Sequence, residues 1–155
     1  MRKVALTALV LSLLAPAAPV MAGTNPPVNK EGFTKAMLEL QIQMRNPKVP
    51  PVEYWEQVAI CESSKDGYTA DWHDRGRWSG GLGIYIGTWV RWGGRQFAPT
   101  PYQATKAEQM VVANRIAVLG FHFFTYSKQP VGFNGWGCIK GRKSLDPKRW
   151  LKVKS

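Results

Sequence analysis

The chain is poor in cysteine, histidine and acid. Its 155 residues hold two cysteines, two histidines and ten Asp and Glu against 21 Lys and Arg. Cys61 and Cys138 form no Cys-x-x-Cys pair, and His73 and His122 no His-Glu-x-x-His, so the spacing of a metal site is lacking. No metal and no cofactor is expected. No apolar run reaches the ~20 residues that cross a bilayer, and no internal repeat is present, which sets aside membrane-spanning and solenoid architectures. No motif of a nucleic-acid-binding module occurs, and nucleic acid is not an expected partner.

What is present is positive charge. The formal net charge is +11, which points to an anionic partner: nucleic acid, an anionic membrane and the bacterial cell wall all have the right sign. The N-terminus separates them. Met1-Arg2-Lys3 is a short basic region, Val4 to Leu14 is apolar apart from Thr7 and Ser12, and Val20-Met21-Ala22 supplies small residues at a cleavage site. Residues 1–22 read as a secretory signal, with no stable membrane insertion after its removal. The remaining ~133 residues suit one domain with an arm. In an oxidising compartment a Cys61–Cys138 disulfide is the simplest use of the two cysteines; a metal site, the rival reading, lacks ligands.

Glycine and proline punctuate the chain. Residues 23–30 read as a leader and Glu31 to Arg45 as a helix, with Phe33, Met37, Leu40 and Met44 as its stripe. That helix either docks on the main domain or lies outside it. Asn46 to Pro51 is a proline-rich breaker, so residues 23–51 form a leader, helical arm and linker, and the main domain spans 52–140. Within it Glu53 to Glu62 is helical, Trp78 to Gly83 a turn or short hairpin, and Ile84 to Trp92 a short helix closed by Gly93-Gly94. Thr105-Lys106-Ala107-Glu108 has the spacing of a capping box opening a helix that stops at Gly120. Residues 141–155 read as a basic, solvated tail.

Trp55, Val58, Ala59 and Glu62 stand at i, i+3, i+4 and i+7, so a carboxyl group ends an apolar stripe. Partial burial favours the proton-bearing form of a carboxyl group, and protonating a glycosidic oxygen needs such a group. The bland alternative is a solvated residue at a frayed helix end. Trp72, Trp78, Tyr85 and Trp89 lie in or beside glycine-rich loops and can offer flat faces to sugar rings, whereas Trp55 and Trp136 are expected in the core.

Trp55-x5-Cys61-Glu62-Ser63, Gly80-Gly81-Leu82, Gly87-Thr88-Trp89, Gly93-Gly94, Ala104-Thr105 with Glu108-Gln109, and Gly135-Trp136-Gly137-Cys138 occur in the order of a known domain. From Val52 to Cys138 the chain resembles the resuscitation-promoting factors. The resemblance implies a mainly α, compact single domain of the α+β lysozyme-like superfamily with a Cys61–Cys138 disulfide. It implies Glu62 as catalytic acid, with Thr88 near it in the glycan groove; from their loops, Trp89, Tyr85, Trp72 and Trp78 are the further expected substrate contacts. The implied activity is cleavage of the β-1,4 bond between N-acetylmuramic acid and N-acetylglucosamine in peptidoglycan, by hydrolysis or lytic transglycosylation. The implied setting is a secreted protein at the cell wall that promotes growth or resuscitation of dormant cells; the sequence does not fix the oligomeric state, and a monomer is the expectation. Gly83 and Tyr85 stand where that family carries polar residues, and the loop before Gly80 lacks its Gly-Gly-Asn-Trp run. The alternative function is a peptidoglycan-binding protein of the same fold without turnover.

Overall fold

The computed structural model describes residues 30–123 and 126–151. The signal at 1–22 and the leader through residue 29 lie outside the described residues. Among those described the chain is mainly helical, with two small antiparallel ribbons and one disulfide.

Helix α1, Lys30–Gln43, buries Gly32, Ala36, Leu40 and Gln43. Phe33 and Met37 of the expected stripe stand at its edge, more than a third exposed. Small residues face inward because α1 lies against α4, Lys106–Asn114, where every residue from Ala107 on is buried. The proline breaker turns the chain without detaching the helix, since Val49 and Pro50 are themselves buried.

Helix α2, Val52–Ser63, starts at Pro51, whose φ of −66° already suits the entry. Its stripe packs as its spacing predicts, with Trp55, Val58 and Ala59 fully buried. Beyond a polar loop, β1, Trp78–Ser79, pairs antiparallel with β2, Ile84–Tyr85, and α3, Ile86–Arg91, follows at once. Helix α4 opens on the capping box, Thr105 accepting from the Glu108 N–H while the Thr105 N–H donates to Glu108 Oε2. It runs into a wider π turn, Arg115–Leu119, and ends at Gly120, whose φ of +77° is open mainly to glycine. Next come the hairpin of β3, Phe121–Phe123, and β4, Tyr126–Lys128, then α5, Gly137–Gly141, and α6, Pro147–Leu151.

Buried polar groups tie the helices together. Asn114 accepts the Trp55 indole N–H at 2.7 Å and donates to Gln43 at 2.9 Å, so α1, α2 and α4 meet at one amide. Arg115 donates through Nη2 to Glu39 at 2.6 Å and through Nη1 to the Trp92 carbonyl. The expected basic tail exposes Arg142, Lys143, Lys148 and Arg149 but is anchored at Leu145 and Trp150. Leu145 is buried, its carbonyl accepts from the Tyr54 hydroxyl, and Trp150 packs edge-on against the Tyr54 ring. Two apolar anchors among the lysines hold this segment on α2.

Candidate functional site

Glu62 lies one residue from the end of α2, where the helix leaves the core, and is half-buried. Its neighbour Cys61 is bonded to Cys138 at the start of α5. The disulfide sets the α5 backbone over the carboxyl group, and the Cys138 N–H donates to Glu62 Oε1 at 3.1 Å. One carboxyl oxygen is thereby held. The other, Oε2, faces Gly83: a Cβ built there would sit 3.6 Å from it. Gly83 has a φ of +54°, so the tight turn between β1 and β2 both favours glycine and keeps a side chain from covering the carboxyl.

Gly83 lines a cleft of about 260 Å³ walled by β1, β2, α3, β4 and the loop before α5. Trp78 and Tyr85, cross-strand partners in the first ribbon, present their rings at its edge with centroids 5.8 Å apart. They are 61% and 43% exposed, which leaves aromatic surface open to a flat ligand. Thr88, half-buried on α3, lines the cleft, and so does Trp136, whose indole N–H donates to the Leu82 carbonyl. Arg91 and Lys128 complete the wall, the Lys128 ammonium lying 5.5 Å from the Trp92 ring centroid. No carboxylate side chain is among the lining residues; Glu62 borders the cleft at Gly83.

The structure brings Thr88, Tyr85 and Trp78 together at one cleft and puts two of the expected contacts elsewhere. Trp89 is fully buried, its N–H donates to the Ala98 carbonyl, and its ring lies where a Cβ on Gly94 would be. It packs in the core because the Gly93-Gly94 turn folds directly onto it. Trp72 packs over Gly81 with Lys106 near its ring, and its carbonyl accepts from Gln109. Neither lines the cleft. None of the three loop acids lines it, and two have their carboxyl groups engaged elsewhere. Asp66 accepts from the Tyr68 and Thr69 N–H groups and the Ser64 hydroxyl, which hold its carboxyl well below the usual carboxylate range. Asp71 caps the His73 N–H and pairs with Lys65, and the Asp74 carbonyl accepts from the Gly80 N–H. Arg91 and Lys128 are the cleft residues that sequence reasoning missed. The one signal for Lys128 is its register beside a ribbon of aromatic residues.

No solved structure matches the chain. A 67-residue segment, 42% of the chain, is 36% identical to resuscitation-promoting factor Rpf1 of Corynebacterium glutamicum, and it spans about a third, 32%, of that relative's length. Residues 49–120, carrying Glu62, Gly83 and Thr88, match the family model of the transglycosylase-like domain.

Proposed function

We propose that the protein is a secreted enzyme of lysozyme-like fold that cleaves peptidoglycan glycan strands, with Glu62 as the general acid. The observation that carries this reading is the half-held carboxyl group. Oε1 accepts the Cys138 N–H, so the proton of the neutral acid belongs on Oε2, the oxygen nearest the cleft. A sugar ring laid against Trp78 and Tyr85 would share the cleft with Gly83, the residue that Oε2 faces.

The reaction is the break of the C1–O bond between N-acetylmuramic acid and N-acetylglucosamine. Glu62 gives its proton to the leaving oxygen as the bond breaks, and positive charge builds at C1. A glycosidase with two carboxylates would use the second as nucleophile or to activate water. Here no carboxylate is among the lining residues of the cleft, and the Asp66 and Asp71 carboxyls are engaged elsewhere. The 6-hydroxyl of the muramic acid attacks C1 instead and returns its proton to Glu62, which restores the acid and leaves a 1,6-anhydro end. This is lytic transglycosylation. The net charge of +11 suits an anionic wall as the place of action.

Purified actinobacterial sacculi digested with the parent and with Glu62→Gln test this, with products weighed by mass spectrometry. The parent is expected to release fragments lighter by one water than hydrolytic ones. Glu62→Gln should slow release by about 10²–10⁴-fold, the usual worth of general acid catalysis, at unchanged Tm. Equal rates for the two proteins would remove Glu62 from the reaction, and water-added ends would replace transglycosylation with hydrolysis.

A further inference from the structure

Beside the cleft runs a second groove that the cleavage reading leaves unused. It has a volume of about 460 Å³, and its walls are Val90, Phe121 and Tyr126, with Arg91, Arg95 and Gln96 among its polar residues. The β3–β4 hairpin is the partition. Lys128 is on the cleft side, Phe121 and Tyr126 on the groove side, and Arg91 lines both. The hairpin begins one residue beyond the stretch that matches the family model. The groove is preformed: the Arg115 guanidinium lies 4.9 Å from the Phe121 ring centroid, and a Cβ on Gly93 would meet that ring at 2.3 Å. Gly93, with φ +76°, therefore leaves room for the ring that forms the wall.

Its chemistry is apolar sides with unpaired cations. Among the described residues no acidic side chain lines the groove or the cleft, and neither Arg91 nor Arg95 is paired with a carboxylate. Two guanidiniums beside Val90, Phe121 and Tyr126 match a short peptide whose alkyl side chains need apolar contact and whose carboxylates need fixed positive donors. A phosphate polymer would use the cations and leave the apolar walls idle. In peptidoglycan such a peptide hangs from the muramic acid, and Arg91 connects the space for the sugar to the space for the peptide. Resting on the cleavage reading for the place of the sugar, we infer that this groove is the subsite for the carboxylate-bearing stem peptide, with Arg95 fixing specificity for peptide-substituted strands.

Two measurements test it. In the first, the soluble stem peptide alone is titrated into the parent and into Arg95→Gln and followed by NMR. Binding by the parent, weakened about fivefold in the variant, is expected for loss of one exposed charged contact; no binding by the parent, or equal binding by the two proteins, overturns the subsite. This arm does not depend on turnover. In the second, cleavage is followed on strands with and without stem peptides, each with its phosphate polymers kept and removed. Arg95→Gln should raise the half-saturating concentration about fivefold on peptide-bearing strands at unchanged kcat, and change nothing on bare ones. An equal loss on both substrates overturns the specificity role. A parental preference that survives peptide removal and vanishes with the phosphate polymers reassigns the cations to phosphate. If the parent cleaves neither substrate yet binds the peptide, the cleavage reading fails and the groove stands.

Discussion

The helical body and the cleft walls are built on opposite terms. In the body, α1, α2 and α4 bury Trp55, Val58, Met110 and Val111 and spend their few polar groups on one another, as where Asn114 joins Trp55 to Gln43. Part of the cleft wall is two ribbons of two and three residues a strand, with Trp78 and Tyr85 partly in solvent. A two-stranded ribbon is marginal alone, so these ribbons keep their shape by seating on the body. The difference separates stability from recognition. Substitutions in the body should unfold the protein, and those in the walls should change what it binds.

The largest effect is expected where the two regions are joined. The Cys61–Cys138 disulfide closes 77 residues of sequence, and removing it through Cys61→Ser with Cys138→Ser should cost about 4 kcal/mol in the chain-entropy model, read as a drop in denaturation midpoint. It should also slow cleavage below the midpoint, because the Cys138 N–H no longer has a fixed place over Glu62 Oε1. Activity unchanged in the folded fraction would show that α5 holds that position without the bond.

Asn114→Ala tests the body alone. It strands the buried Trp55 N–H and removes the donor to Gln43, and an unpartnered buried donor costs about 1–3 kcal/mol. Thermal denaturation should show that loss, while the half-saturating concentration for glycan stays at the parental value. A shift in that concentration would mean the body shapes the cleft more closely than its separate contacts imply.

The division also explains what the sequence could reveal. The α4 start was legible because the capping box is a local device, and the α2 stripe because Trp55, Val58 and Ala59 repeat at helical spacing on one buried face. The glycines around 80–83 announced a turn, and the cysteine pair left one partner each. The inward face of α1 was not legible. Gly32, Ala36 and Gln43 turn inward because α4 approaches closely and Asn114 waits for an amide, facts that belong to another helix 71 residues away. The site divides in the same way. Glu62 is marked by its place at the end of a stripe, but composition cannot tell an aromatic on a cleft from one in a core. Trp78 and Trp89 look alike in sequence, and the turn at Gly93-Gly94 buries only the second.

Trp78→Ala is the counterpart in the walls. The ring is mostly exposed, so the stability should change by no more than the ~0.5 kcal/mol usual at the surface, read from thermal denaturation. The half-saturating concentration of glycan strands should rise about fivefold to tenfold, for an aromatic platform worth about 1 kcal/mol or slightly more. A fall in Tm with unchanged binding would instead make the first ribbon part of the body.

The smallest effect lies in the loop between α2 and β1, and it is set by pH. Asp66 is exposed, and its charged form is held by the Tyr68 and Thr69 N–H groups and the Ser64 hydroxyl, so its folded pKa lies below the unfolded one. A depressed folded value means that its contribution is fully present above the unfolded carboxylate pKa of ~3.9 and is lost as pH falls through the lower folded value. The Tyr68 and Thr69 amide resonances should therefore hold steady from neutrality to about pH 4 and move only in stronger acid. In Asp66→Asn they should start displaced at pH 7 and not titrate over that range. Because Asp66 lines a shallow surface pocket and not the cleft, cleavage at neutral pH should match the parent. A cleavage defect in Asp66→Asn would bring this loop into the site and supply the second carboxylate that the cleft lacks.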